Sequence, residues 1–147
     1  MDHVIIEDGK LTLEEFLSVA WNGTPVRLSD RARAKIAESR SVVDACVAEE
    51  RVVYGLTTGF GKFSDVTISE ADSMALQENL IMSHACGVGE PLPREVVRGM
   101  MLLRINALAV GYSGVQPETV ERLADMLNRD VVPVVPEKGS LGASGDL

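Results

Sequence analysis

The sequence predicts a mainly α-helical fold with one or two short β pieces. Helix-start signals recur along it. Thr12 with Glu15 three residues later makes a capping box, Ser29 and Ser69 head further runs, and Pro117 beside Glu118 opens another. Behind these starts, apolar residues repeat at three- and four-residue spacing, whereas extended stretches are few and short.

In chain order, His3 to Glu7 reads as a short strand closed by an Asp8-Gly9 turn. The helix after Thr12 carries Leu13, Phe16, Leu17 and Ala20 on one face and stops at Asn22-Gly23. Val26 to Leu28 is a brief extended piece. Ser29 caps a long helix to about Arg51, with Ile36, Val43, Cys46 and Val47 at near-helical spacing. A loop from Tyr54 to Phe63 follows. The next helix runs from Ser69 to about His84 or Ala85, and Gly87 to Pro93 is the turn behind it.

Arg94 to about Gly111 is strongly apolar. Val97, Met101, Ile105 and Leu108 form one stripe, while Met100, Leu102 and Leu103 add apolar groups on other sides, the pattern of a helix buried among others. Arg104 and Asn106 within it are expected to meet buried polar partners. The last helix runs from Pro117 to near Arg129. Residues 1–147 are expected to form one globular unit that is incomplete, because the chain ends on a loop and its most apolar helix has few partners to cover it.

Composition excludes several functions. A chain of 147 residues, 46% hydrophobic and 24% charged, is long enough for one domain with a core. A net charge of −8 speaks against a nucleic-acid or anionic-membrane surface. Its basic residues Arg27, Arg31, Arg33, Lys35 and Arg40 stand among Asp30, Glu38 and Asp44, as on a solvated helix face. Aromatic residues, at 4%, are too few for a base-stacking platform. The longest apolar run, from Val96 to Val110, is broken by Arg98, Arg104 and Asn106 and is no membrane span. No signal peptide is visible, and Cys46 and Cys86 lack metal-ligand spacing, so a reduced, cytoplasmic protein is expected. With His3 and His84 as the only histidines, a multi-histidine metal site within the segment is excluded.

Two loops stand out. Gly139 to Leu147 contains three glycines with Ala and Ser between them, behind the stiff lead-in Val131-Val132-Pro133-Val134-Val135-Pro136. Such a run is either a flexible linker or a backbone built to fold tightly on itself. It is not a nucleophile elbow, since Asp146 stands where that motif ends in Gly. In the other loop, Gly61-Lys62 looks like the end of a P-loop, but Gly55 lies one residue too far upstream and Phe63 replaces the Ser or Thr that would hold magnesium. Gly55, Gly59 and Gly61 can shape a structural turn there, or the loop can present Tyr54 over a site as a base. His84 sits near the end of its helix, where the helix dipole favours it, or serves as a satisfied core histidine.

Taken together, the motifs separate these readings. Tyr54-Gly55-Leu56-Thr57-Thr58-Gly59-Phe60-Gly61, Asn79-Leu80-Ile81-Met82-Ser83-His84-Ala85-Cys86-Gly87-Val88-Gly89 and Gly139-Ser140-Leu141-Gly142-Ala143-Ser144-Gly145-Asp146-Leu147 occur in that order. This set resembles the aromatic amino acid ammonia-lyase family from about Leu11 to Leu147. The resemblance implies the amino-terminal segment of an ammonia-lyase/fumarase-like helical fold.

It also implies that Ala143-Ser144-Gly145 cyclises into a methylidene-imidazolone ring, with no external cofactor. The residue types suit that chemistry. Gly145 offers an unhindered nitrogen, Ala143 an accessible carbonyl, and Ser144 a side chain that dehydrates to the methylene. By resemblance, the ring captures the substrate's amino group, Tyr54 takes the β-proton, and Ser83-His84 binds the substrate ring in the pattern of the histidine-selective members. The product of such a member is urocanate. Thr57-Thr58 also occurs in phenylalanine-selective members, so a phenylalanine or tyrosine lyase, or an aminomutase, is the alternative within the family. The resemblance implies a homotetramer for the full-length protein and a small-molecule amino acid substrate, with no nucleic-acid or membrane partner. The family's remaining site residues lie downstream of Leu147, so the segment alone is expected to lack activity. A non-catalytic binding domain is the alternative of another class.

Overall fold

The computed structural model describes residues 3–7, 9–58 and 70–140. In chain order the elements are β1 (Val4–Ile6), α1 (Leu13–Ala20), β2 (Val26–Leu28), α2 (Asp30–Ala48), α3 (Glu70–His84), β3 (Val88–Pro91), α4 (Arg94–Leu108), α5 (Pro117–Asn128) and β4 (Pro136–Lys138). The mainly helical expectation holds. The chain divides into two compact units, Met1–Val42 with Leu92–Val134, and Val43–Pro91 with Val135–Leu147.

In the first unit, the capping box at Thr12 forms as expected. The Thr12 amide donates to Glu15 Oε2 at 2.9 Å, and the Glu15 amide donates to Thr12 Oγ1 at 3.2 Å. α1 is the crossover between two parallel strands, with Val4 opposite Val26 and Ile6 opposite Leu28. Val4, Ile6, Val26 and Leu28 point inward, while Ile5 and Arg27 point out. The Asn128 side chain extends this ladder like another strand. Its Nδ2 donates to the Val26 carbonyl and its Oδ1 accepts from the Val26 amide, both at 2.8 Å.

α4 is the spine of this unit. Gly99 lets α1 come close, since a Cβ there would lie 2.8 Å from Phe16 Cζ. Val97, Met101, Leu102 and Ile105 are buried, as are Val120, Ala124 and Leu127 of α5, which packs beside α4. The all-round burial expected of α4 does not occur: Met100 is 39% and Leu103 51% exposed, on the side that also carries Val96. Arg104 is exposed too, whereas Asn106 does meet a part-buried partner, the Gly9 carbonyl at 3.3 Å, and the main buried polar role falls to Arg98, which is only 6% exposed. Its guanidinium donates from Nη2 to the Val19 carbonyl at 2.9 Å and from Nη1 to the Leu127 carbonyl at 3.1 Å and Asp130 Oδ1 at 2.9 Å. Val19 and Leu127 lie in the last turns of α1 and α5, where carbonyls have lost their helical partners. One planar fork thus closes two helix ends.

Two helices end in the same way, without the glycine that usually marks such an end. After α2, the Arg51 amide reaches the Cys46 carbonyl at 3.0 Å and the Glu50 amide reaches Val47 at 3.1 Å, with Glu50 at φ 52°. After α5, the Val131 amide reaches Met126 at 2.8 Å with Asp130 at φ 60°. The first of these stops α2 short of the expected Arg51. Asp130 gains a compensation for its strained backbone, an ion pair with Arg94 as well as with Arg98.

In the second unit, Val88–Pro91 is not the plain turn expected of Gly87 to Pro93. It pairs antiparallel with Pro136–Lys138, Val88 facing Lys138 and Pro91 facing Pro136. A proline on each strand removes ladder donors, which hides both strands from propensity rules.

The hydrogen bond from Arg94, with the positive charges of Arg94 and Arg98, holds the Asp130 carboxyl below its ordinary range against the opposing effect of desolvation. A carboxyl lowered on folding contributes stability above its unfolded pKa of about 4, and that contribution disappears as pH falls through the folded value. Urea unfolding across a pH series therefore reads both halves of the clamp. Arg98→Ala is expected to cost about 2–4 kcal/mol by stranding the Val19 carbonyl and removing the charged partner of the Leu127 carbonyl and Asp130, with Arg98→Lys recovering only part, because an ammonium cannot fork. Asp130→Asn keeps a side chain that tolerates positive φ and is expected to flatten the acid limb.

Candidate functional site

The Tyr54, Ser83 and His84 positions all belong to the second unit. Tyr54 stands at the corner of a tight turn in which the Leu56 amide donates to the Val53 carbonyl at 3.1 Å. Gly55 follows it with φ 70°, the left-handed conformation that a type II turn requires at its third position. Two threonine hydroxyls pin this turn. Thr57 Oγ1 accepts from the Val53 amide at 2.9 Å and donates to the Arg51 carbonyl at 2.6 Å. Thr58 Oγ1, on a buried side chain, accepts from the Gly55 amide at 3.2 Å. Tyr54 is thereby carried outward, 64% exposed, on a turn whose backbone is fixed by side chains rather than by a helix or sheet.

Ser83 and His84 close α3 and are exposed. His84 Nδ1 lies 2.9 Å from the Leu80 carbonyl oxygen and 2.9 Å from Ser83 Oγ, which itself donates to the Leu80 carbonyl at 3.0 Å. The pair is a small hydrogen-bonded triangle on one helical turn, with the outer face of the imidazole turned to solvent. The Ala143, Ser144 and Gly145 positions lie outside the described residues.

Sequence reasoning assigned no structural work to Thr57 and Thr58, although adjacent hydroxyls two and three residues after Val53-Tyr54-Gly55 are a readable turn-pinning signal. The part played by the Leu80 carbonyl is a main-chain contribution that no residue type announces. Elsewhere, a cleft of about 310 Å³ in the first unit is walled by Trp21, Asn22, Arg94, Glu95 and Arg98, and contains none of the expected site residues. Its two arginines are engaged with Asp130 and the helix-end carbonyls, so it reads as the open side of the clamp. Among the described residues, no group of three His, Cys, Asp or Glu side chains is placed to hold a metal ion, and no helix is long and apolar enough to cross a membrane.

Comparison with known proteins agrees with the motif order. The family model described as aromatic amino acid lyase matches residues 11–147. A histidine ammonia-lyase of Caldanaerobacter subterraneus subsp. tengcongensis is 61% identical over all 147 residues, and one of Alkaliphilus metalliredigens is 59% identical over the same span. The chain covers 29% of the length of each. Among solved structures, histidine ammonia-lyase from Trypanosoma cruzi superposes with a TM-score of 0.83 at 38% identity, covering 94% of this chain and 26% of its own. Ergothionase from Treponema denticola, in complex with desmethyl-ergothioneine sulfonic acid, gives 0.87 at 35% identity, covering 95% of this chain and 28% of its own.

The turn beneath Tyr54 is directly testable by amide exchange. Thr57→Val, isosteric but without the hydroxyl, is expected to speed exchange of the Val53 amide by about tenfold, the weight of one hydrogen bond. Thr57→Ser is expected to leave it unchanged.

Proposed function

Because the chain belongs to the aromatic amino acid lyase family, we propose that it is the amino-terminal part of a histidine ammonia-lyase, which eliminates ammonia from L-histidine to give urocanate. The observation that carries this reading is the 61% identity, along the whole chain, with a histidine ammonia-lyase. The exposed Ser83-His84 pair supports it, because it offers hydrogen bonding to a polar substrate ring.

Family members use a self-formed methylidene-imidazolone group, and in this chain Ala143-Ser144-Gly145 would form it. The fit rests on chemistry: an unhindered glycine nitrogen, a small neighbour with an accessible carbonyl, and a serine able to lose water. Once formed, the group supplies a strong electrophile, which ordinary side chains lack. The rest of the work in this segment falls to its own residues. Tyr54 Oη takes a proton from the substrate β-carbon as general base, and departure of ammonia from the α-carbon leaves the unsaturated acid. The turn pinned by Thr57 and Thr58 fixes the backbone from which that side chain projects. His84 engages the substrate ring, and an apolar ring would leave its polar edge unpaired.

Activity requires the remaining length found in the relatives, and the reading includes a homotetramer in the cytoplasm. In a protein carrying this segment at the relatives' full length, the intact mass is expected to fall two waters short of the sequence mass. Ser144→Ala should abolish that deficit. Tyr54→Phe should retain it while losing at least about a hundredfold in kcat. A wild-type mass equal to the sequence mass, or near-normal turnover by Tyr54→Phe, would contradict the proposal.

A further inference from the structure

We propose that Ser83 and the Leu80 carbonyl hold the neutral His84 ring as its Nδ1–H tautomer, so that Nε2 presents a hydrogen-bond acceptor to a ligand ring bearing an N–H or O–H donor. The geometry leaves one consistent arrangement of hydrogens. A carbonyl oxygen can only accept, so the 2.9 Å approach of His84 Nδ1 to the Leu80 oxygen is attractive only if Nδ1 carries a hydrogen. With a lone pair on Nδ1, two acceptors would face each other at that distance. Ser83 completes the arrangement. Its hydroxyl spends its single hydrogen on the Leu80 carbonyl at 3.0 Å and turns an oxygen lone pair to Nδ1–H at 2.9 Å.

It follows that in the neutral ring Nε2 holds a lone pair, and it makes no hydrogen bond among the described residues. This reverses the tautomer that a free histidine side chain prefers in water, so the protein sets it. Ser83 is therefore a positioning residue that acts through His84. The consequence for recognition is a polarity requirement: a ring with an outward N–H or O–H completes the site, and a hydrocarbon ring leaves Nε2 dry and unpaired. Identifying that ring as the substrate's rests on the lyase reading, whereas the tautomer itself does not.

The tautomer can be read from the two ring-nitrogen shifts of the 147-residue chain labelled with 15N-histidine, at about pH 9, above the ordinary imidazole range. The chain has only His3 and His84, so a His3→Gln variant completes the assignment. His84 is expected chiefly as Nδ1–H, with His3 chiefly Nε2–H as the internal reference. Ser83→Ala should shift the His84 population toward Nε2–H by about fivefold, and Ser83→Thr should restore it. A wild-type His84 that is mainly Nε2–H, or a Ser83→Ala spectrum identical to wild type, would overturn the proposal. In a protein of the relatives' full length, Ser83→Ala should raise KM for L-histidine about fivefold to tenfold while kcat changes less, again with rescue by Thr. An Nδ1–H ring in a protein that does not turn over histidine would sink the lyase reading and leave the tautomer assignment standing. Histidine turnover with an Nε2–H ring would do the reverse.

Discussion

The first unit depends on a single buried cation. Arg98 enters from the middle of α4 and takes the Val19 and Leu127 carbonyls, which belong to the ends of two other helices. The Val19 carbonyl would otherwise be a backbone acceptor stranded away from water, a cost comparable to a lost hydrogen bond, and the Leu127 carbonyl would keep only the long 3.3 Å bond from the Asp130 amide. The same guanidinium needs a negative partner, and Asp130 provides it at the price of a left-handed backbone. Arg94, one helical turn before Arg98, secures the same carboxylate. The close approach of α1 at Gly99 and the anchoring of β2 by Asn128 are consistent with helix ends fixed in this way.

The second unit uses a different economy. Its candidate site positions are held, among the described residues, by hydroxyls bonded to nearby main chain. Thr57 and Thr58 fix the Tyr54 turn, and Ser83 with Leu80 fixes the His84 ring. Both devices act within one turn of chain. They set where an exposed side chain leaves the main chain, a suitable support for residues proposed to meet a substrate.

Much of the helical framework was legible in the sequence, because Thr12 with Glu15, Ser29, and Pro117 are local signals with local causes. The misses are equally physical. The α2 terminus was placed too late because Glu50, not glycine, adopts the left-handed cap. Prolines on both strands concealed the β3–β4 pair. The role of Arg98 was assigned to Arg104 because an apolar helix read without its neighbours does not reveal which arginine faces them. Of the site, Tyr54, Ser83 and His84 were legible as motif positions; the bonds that orient them run through main-chain atoms of Arg51, Val53 and Leu80, whose side chains carry no trace of that role.

The proposed reading joins the family membership, the pinned turn at Tyr54 and the proposed acceptor edge of His84 into a lyase segment that favours a polar aromatic ring. The most direct test is the ratio of kcat/KM for L-histidine to that for L-phenylalanine, measured on a protein that carries this segment at the relatives' full length. A site built to hydrogen-bond a polar ring rejects a ring lacking that bond far more strongly than one differing only in size, so the account predicts a preference for histidine of at least about a thousandfold. Comparable values for the two substrates, or a preference for phenylalanine, would contradict it.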